Sequence, residues 1–456
     1  MTKIVQPLFE TTSNLDIDEL CARFENREAV IGVIGMGYVG IPLICAACDK
    51  NFKAIGFDID ESKVAKIRNG ESYIGNIHSD RIKAFRDDNL LHATTDFSKL
   101  AEADAILMCV PTPLTKCREP DLSYIEKTAE TIAKTLRPGQ IVILESTTYP
   151  GTMRDVVRPI LEKTGLKSGE DFYLAYSPER EDPGNIDFET STIPKVVGGD
   201  GPDALRLSQT LYEQFVAKVV PVSSAETAEA VKLTENIFRA VNIALVNELK
   251  VIYDALGIDI WEVVGAAATK PFGYMPFYPG PGLGGHCIPI DPFYLTYKAR
   301  EHEISTRFIE LAGEINLSMP SFVVNKAAEA FDAKTGRGLK NAKILLLGAA
   351  YKKNVSDVRE SPFFAVAELL KKRGANIAYH DPHVDQLMHM RHFPGYEDMK
   401  SVALTPENIA EYDMVMVITD HHDVDYDLVG ENAKLIIDTR NVYQDRDAFT
   451  DKVVKA

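Results

Sequence analysis

The stretch Gly280-Pro281-Gly282-Leu283-Gly284-Gly285-His286-Cys287-Ile288-Pro289-Ile290-Asp291 sets one thiol in a segment almost bare of side chains. Four glycines in six residues, bracketed by prolines, let a ligand approach the main chain closely, so one reading is an approach channel to a nucleophilic Cys287. The other is a tight structural turn around a buried cysteine, since free Cys is among the most buried residue types. Upstream, Lys232 and Asn236 stand one helical turn apart and point the same way. They form a catalytic face or the solvated stripe of a surface helix. Glu179, in Ser177-Pro178-Glu179-Arg180, is a carboxylate that serves as a base or faces solvent.

A third group is a phosphate cradle. The apolar run 29–34 feeds into Gly35-Met36-Gly37-Tyr38-Val39-Gly40, and a second apolar run, 53–57, ends in Asp58. This is G-x-G-x-x-G between a strand and a helix, with an acid at the distance of the adenosine ribose. Gly35 permits the turn, Gly37 lets the backbone meet a pyrophosphate, Gly40 lets helix and strand pack, and the helix N-terminus offers free N–H groups. Asp58 accepts from ribose hydroxyls and repels a 2′-phosphate, which favours NAD over NADP. The competing reading is a glycine-rich turn with no cofactor.

These groups need a scaffold, and the periodicity supplies one. Residues 15–27 read as a short amphipathic helix, and strands are expected at 105–110, 141–144 and 173–176. The first two run into Pro111-Thr112-Pro113 and Glu145-Ser146-Thr147-Thr148, polar or turn residues at the carboxyl ends of strands, where open α/β sheets bind ligands. A long helix follows from Ala225 to near Gly257, and 258–330 read as helical apart from the glycine loop. After Gly336 and Gly338 the α/β pattern returns, with strands at 343–348, 376–379, near 414–418 and 434–437, and a helix at 362–372. Here Gly348-Ala349-Ala350-Tyr351-Lys352-Lys353 replaces the glycine fingerprint, so no second NAD is expected. Lys352, Lys353 and Arg359 form a basic rim for a phosphorylated ligand or plain surface charge.

The expected fold is α/β, with two Rossmann-like doubly wound domains joined by a long central helix and a helical dimerisation region. The boundaries are 1–224 for an NAD-binding domain with its leading helix, 225–330 for the helical region with the Cys loop, and 331–456 for the second Rossmann-like domain. A length of 456 residues suits this division. Cys45 and Cys48 fall inside the helix after the glycine turn and read as core, and Trp261 as packing. His380, His383, His421 and His422 lack the spacing of a zinc site, and no metal is expected.

A net charge of -17 argues against a polyanionic partner, so no nucleic acid is expected. Six unevenly spaced cysteines suit a reducing compartment rather than a disulfide framework. Glu10, Asp16, Asp18 and Glu19 stand where an export signal would be basic and apolar. The uncharged window 29–48 is broken by Gly32, Gly35, Gly37, Gly40 and Pro42, so no membrane span is expected, and the location expected is cytoplasmic.

In this order and spacing the motifs resemble the UDP-glucose/GDP-mannose dehydrogenase family, over nearly all of the chain from Ile31 to about Val442. The resemblance rests on the glycine turn, Val110-Pro111-Thr112-Pro113, Ser146-Thr147, Ser177-Pro178-Glu179, Lys232 with Asn236, Gly284-Gly285-His286-Cys287 with Asp291, and Lys352 with Asp357-Val358-Arg359-Glu360-Ser361. It implies oxidation of the C6 hydroxyl of a nucleotide sugar to a carboxylate in two hydride transfers, by way of a thiohemiacetal and a thioester on Cys287. Lys232 and Asn236 would stabilise the oxyanion at C6. Asp291 and Glu179 would handle protons and the hydrolytic water, with Thr147 positioning it.

By the same resemblance NAD would lie on Gly35, Gly37, Tyr38, Val39, Gly40, Asp58, Pro111, Thr112 and Thr147. A UDP-sugar would meet Glu179, Lys232, Asn236, Tyr278, Gly284, Lys352, Arg359 and Arg440, in a homodimer joined through the central helices. UDP-glucose members carry a second glutamate four residues after the first, where this chain has Pro183, and a small residue where it has His286. Residues 276–287 look like the branch acting on UDP-N-acetylhexosamines, so UDP-N-acetylglucosamine is the first expectation, in polysaccharide biosynthesis such as that of lipopolysaccharide O-antigen. UDP-N-acetylgalactosamine, UDP-N-acetylmannosamine and UDP-glucose are the alternatives. A two-electron dehydrogenase needs no nucleophilic cysteine, and a non-catalytic NAD-binding sensor, the alternative of another class, predicts a lost thiol or a lost helix pair.

Overall fold

Val-Ile-Gly-Val-Ile, the first strand β1 (Val30–Ile34), is buried at every residue, which a strand covered on both faces by helices requires. The computed structural model describes residues 16–75, 77–115, 118–180, 192–285, 288–388, 390 and 393–456. His286, Cys287 and Pro183 lie outside them. The chain divides into two units, Met1–Glu235 with Phe293–Ile304, and Asn236–Pro292 with Ser305–Ala456.

In the first unit β1 is joined by β2 (Lys53–Phe57), β3 (Leu91–Thr94), β4 (Ala105–Met108), β5 (Ile141–Leu144), β6 (Tyr173–Tyr176), β7 (Lys195–Gly199) and β8 (Val219–Val222). Their order is β3-β2-β1-β4-β5-β6-β7-β8. The first six follow the doubly wound order, which opens a ligand crevice at the carboxyl ends of β1 and β4. All neighbours are parallel except β6 and β7, where Tyr176 pairs with Gly198 antiparallel. The apolar window ahead of Asp49 resolves into β1, the glycine turn and the helix Gly40–Cys48. Ahead of the sheet, Asp16 and Glu19 close a capping box on the helix Ile17–Glu25, which buries Leu20, Cys21 and Phe24.

The second unit carries a parallel sheet from β9 (Lys343–Leu347), β10 (Asn376–His380), β11 (Met414–Val417), β12 (Ile436–Asp438) and β13 (Val453–Lys455), in the order β10-β9-β11-β12-β13. The fold is thus α/β with two Rossmann-like sheets, the first parallel but for β7 against β6 and the second parallel throughout, and the chain passes from one unit to the next within the helix Ala225–Ala255. A second long helix, Arg307–Thr335, ends on Gly336, whose φ of 67° makes the left-handed cap.

Four strands lack a sequence signal. β3 and β13 are short and mixed in polarity, β7 opens on a lysine, and β8 contains Pro221, which an edge strand tolerates because no ladder hydrogen bond is lost. Among the described residues no helix is long and apolar enough to cross a membrane.

Candidate active site

The crevice of the first unit is shaped by glycines. Gly35 has φ +94°, and a Cβ there would lie 2.3 Å from the Cys109 carbonyl oxygen. At Gly40 a Cβ would lie 2.0 Å from the Gly35 oxygen, so helix and turn meet main chain to main chain. Gly37 differs, for a methyl added there meets nothing within 4 Å. The helix Gly40–Cys48 starts at Val39 with no side-chain cap; Ile41 N donates to Gly37 O and Pro42 has no N–H, so of the first turn Gly40 N is left for an anion.

Asp58, buried at the end of β2, accepts from Met36 N and Asp60 N, each at 3.0 Å, and Lys63 Nζ stands 3.4 Å away. Oδ2 takes both Met36 N and Lys63 Nζ, while Oδ1, which accepts from Asp60 N, keeps a further lone pair for a ribose hydroxyl. Open space over Gly37, a bare helix N-terminus and a fixed acid at the ribose position fit a dinucleotide. Tyr38 is exposed and Val39 half-buried beside them. Cys45 and Cys48 are buried in the helix, and burial pushes the Cys45 thiol up to about 12.

On the other side of β1, Ser146 Oγ donates to Val110 O at 2.7 Å, joining the loops after β4 and β5. Pro111 is exposed; Thr112 is buried, and its carbonyl accepts from Tyr294 at 2.9 Å. Thr147 is half-buried between them. The loop then turns at Gly151, where Gly151 N and Met153 N donate to Glu229 at 2.5 and 3.0 Å. Burial pushes the Glu229 carboxyl up to about 8.

Glu229 has no sequence signal of its own, yet it precedes Lys232 by three residues on the same helix. Lys232 is buried and donates to the Glu179 carbonyl at 2.6 Å. The Glu179 carboxylate accepts from Arg180 N at 2.6 Å through Oε1. Glu179 and Lys232 are therefore together, through the backbone of one and the amine of the other.

In the second unit Asn236 Nδ2 donates to Asp291 Oδ2 at 2.5 Å, and both side chains are buried. The glycine loop is held by Asn247, which continues the helical stripe of Lys232 and Asn236, and by Asn316, which the sequence does not flag. Asn247 Oδ1 accepts from Gly280 N at 3.1 Å while its Nδ2 donates to Asn316 at 2.9 Å, and Asn316 donates to Ala240 O. A Cβ at Gly280 would lie 2.4 Å from Arg440 Nη1, and one at Gly284 2.7 Å from Tyr351 Cβ, next to Lys352. Gly285 N donates to Arg359 O at 3.2 Å.

Arg359 is paired with Asp357, and Arg440 Nε donates to Ile418 O at 2.8 Å. The half-exposed Tyr278 stacks on Trp261, 13° from coplanar. The glycine loop, Arg359 and Arg440 thus meet in this unit. His421 and Asp381 are buried against each other at 3.0 Å, and no group of three or more His, Cys, Asp or Glu among the described residues is placed to hold a metal.

The family models decide what this arrangement belongs to. The NAD binding domain of the UDP-glucose/GDP-mannose dehydrogenase family matches residues 29–216, its central domain 226–318 and its UDP binding domain 345–445. This chain belongs to that family. It is an NAD-dependent nucleotide-sugar dehydrogenase.

Among relatives of this dehydrogenase, UDP-N-acetyl-D-glucosamine 6-dehydrogenase of Pseudomonas aeruginosa is 36% identical over 78% of this chain and 84% of its own. UDP-N-acetyl-D-mannosamine dehydrogenase of Pyrococcus horikoshii is 34% identical over 91% of this chain and 96% of its own. A solved structure of the UDP-N-acetylmannosamine dehydrogenase from Pyrococcus horikoshii superposes with a TM-score of 0.81 at 33% identity, covering 90% of this chain and 95% of that one.

Proposed function

We propose that the chain oxidises the C6 hydroxyl of a UDP-N-acetylhexosamine, UDP-N-acetylglucosamine first, to the uronic acid, with two NAD reduced and one water consumed. The observation that carries the reading is the buried Asn236–Asp291 bond at 2.5 Å, because Asp291 follows Cys287 by only four residues. An amide donor and a carboxylate are what a thiol addition to an aldehyde needs nearby.

In the first oxidation Asp291 takes the hydroxyl proton as the C6 alcohol becomes an aldehyde. The thiol of Cys287 then adds to that aldehyde, and Lys232 and Asn236 hold the C6 oxygen. The second oxidation turns the thiohemiacetal into a thioester. Water adds to the thioester carbonyl, one of its protons passes to Glu179, and the C–S bond breaks to release the acid. NAD, when bound, takes up the hydride in each oxidation.

Thr147 positions the water, and Pro111, Thr112, Tyr38 and Val39 frame the cofactor. Tyr278, Gly284, Lys352, Arg359 and Arg440 hold the UDP-sugar. Exposed Phe238, Leu245 and Ile252 on one long helix, and Phe308, Leu311 and Leu317 on the other, support a homodimer through the helical region 225–330, between an NAD-binding domain at 1–224 and a sugar-nucleotide domain at 331–456. The product serves polysaccharide assembly, O-antigen included, and the enzyme works in the cytoplasm.

The test is stoichiometric. Purified protein with UDP-N-acetylglucosamine should yield close to two NADH per sugar consumed, and a yield of one would remove the four-electron reaction. Side-by-side rates with the UDP-sugars of N-acetylglucosamine, N-acetylmannosamine, N-acetylgalactosamine and glucose decide the substrate. The relative from Pyrococcus horikoshii favours N-acetylmannosamine as the second choice.

A further inference from the structure

The antiparallel strand β7 delivers a positive charge to the carboxyl edge of the sheet. Because β7 runs against β6, its first residue, Lys195, arrives at the carboxyl edge, beside the residues that follow β5 and β6. Ser177 Oγ fastens this reversal by donating to Val196 O at 2.9 Å.

Lys195 Nζ lies 2.7 Å from Glu145 Oε2 and 3.7 Å from Glu179 Oε2. The other oxygen of Glu145 accepts from the Tyr212 hydroxyl, and the amine lies over the Tyr212 ring. The side chains of Lys195 and Glu145 are 5% and 0% exposed. Burial pulls the lysine down, but the Glu145 and Glu179 carboxylates outweigh it and raise it. The ammonium is thus a fixed charge with one carboxylate behind it and another in front.

A buried ion pair is weak as a source of stability, since desolvation offsets the attraction. This pair reaches further than its own neutrality requires. Glu145 has both oxygens occupied, by Lys195 and Tyr212, and so serves as an anchor. Glu179 is held at its carbonyl by Lys232 and at Oε1 by Arg180 N, and Lys195 faces the remaining oxygen.

We propose that Lys195, anchored by Glu145 and Tyr212, is a positioning residue that aims the Glu179 carboxylate for the hydrolytic half of the reaction. The inference rests on Glu179 receiving the proton of the hydrolytic water, as in the function proposed above. Lys195 touches neither substrate nor cofactor in this role and forms no bond. It sets where Glu179 Oε2 stands when that water adds to the thioester, and a displacement of about 1 Å in such a group costs up to about a hundredfold.

The experiment separates this role from neutralisation of Glu145. Lys195→Met alone strands a buried carboxylate and can fail to fold, so the decisive variant is Lys195→Met with Glu145→Gln, in which the core is uncharged and Tyr212 still donates. Mixed rapidly with NAD and UDP-N-acetylglucosamine, or the UDP-sugar turned over fastest, it should give a burst of NADH approaching two per active site. Turnover should then be on the order of tenfold slower than in the parent, with KM falling alongside it so that kcat/KM stays within about twofold. Intact mass should show the acyl adduct accumulating.

A double variant turning over at the parental rate with no burst overturns the proposal, because Lys195 then only neutralises Glu145. Glu179→Gln is the control. If it hydrolyses normally, the reading of Glu179 fails and takes the proposal with it. If it stalls while the double variant does not, the proposal alone fails.

Discussion

Asn236 gives its side-chain amide to Asp291 at 2.5 Å, and the two residues are 8% and 2% exposed. One stands on the long helix a turn beyond Lys232 and the other opens the helix Asp291–Glu301. Asp291→Asn keeps an acceptor for Asn236 but loses the base. Stability should move by less than about 1 kcal/mol, while acid formation should fall on the order of a hundredfold. Asn236→Leu leaves the carboxylate without this donor and should cost about 2 kcal/mol. Thermal unfolding beside single-turnover NADH formation checks both.

Gly280 is fixed by what touches it. Its Cβ would fall 2.4 Å from Arg440 Nη1 and 2.9 Å from Cζ, and Arg440 cannot swing freely because Nε is bonded to Ile418 O. Gly280→Ala should therefore displace the guanidinium and raise KM for the UDP-sugar about tenfold, with KM for NAD unchanged. Arg440→Lys should raise the same KM, since a single ammonium does not reproduce the planar fork. Initial-rate kinetics with each substrate varied in turn is the measurement.

What the sequence makes legible is local. The glycine turn, Asp58 and the strands β1, β2, β5 and β6 each carry their own pattern within a few residues, and Lys232 with Asn236 is visible because helical spacing alone puts them on one face. Partners separated by long stretches of chain leave no such trace. Glu145 and Lys195 lie fifty residues apart, and they meet because β7 reverses, which Lys-Val-Val-Gly-Gly does not announce. Asn247 continues the helical stripe of Lys232 and Asn236 and Asn316 reads as an ordinary polar position, and only their bonds reveal that they hold the glycine loop at Gly280. β8 is hidden by Pro221, which argues against a central strand and is harmless at an edge.

Asp58 holds the turn and selects the cofactor at once. It accepts from Met36 N and Asp60 N, with Lys63 at 3.4 Å. Asp58→Ala removes the ribose acceptor and frees Lys63 to meet a 2′-phosphate. The affinity for NAD should fall about tenfold, as loss of a charged hydrogen bond requires, while NADP should bind more tightly than it does to the parent. Fluorescence titration with both nucleotides reads the ratio, and an unchanged ratio would free Asp58 from the ribose.

The second Rossmann-like unit uses the same device. Asp381, after β10, accepts from Ala349 N and Ala350 N at 2.7 and 2.9 Å and from His421 Nε2 at 3.0 Å, where the first unit uses Asp58. Burial alone would raise the Asp381 carboxyl, but the His421 bond and the backbone donors outweigh it and hold it below the usual 3.8. Folding thus weakens proton binding at Asp381, so the unfolded chain binds more protons there in acid. The stabilisation is complete above the unfolded value and is lost as pH falls through the lower folded one. Asp381→Asn should cost about 2 kcal/mol at pH 7, and the gap from the parent should narrow as pH falls past the usual 3.8 and through the lower folded value. Urea unfolding of both proteins at intervals over that range tests it, and a gap that stays constant into acid would mean that Asp381 is not ionised in the folded chain.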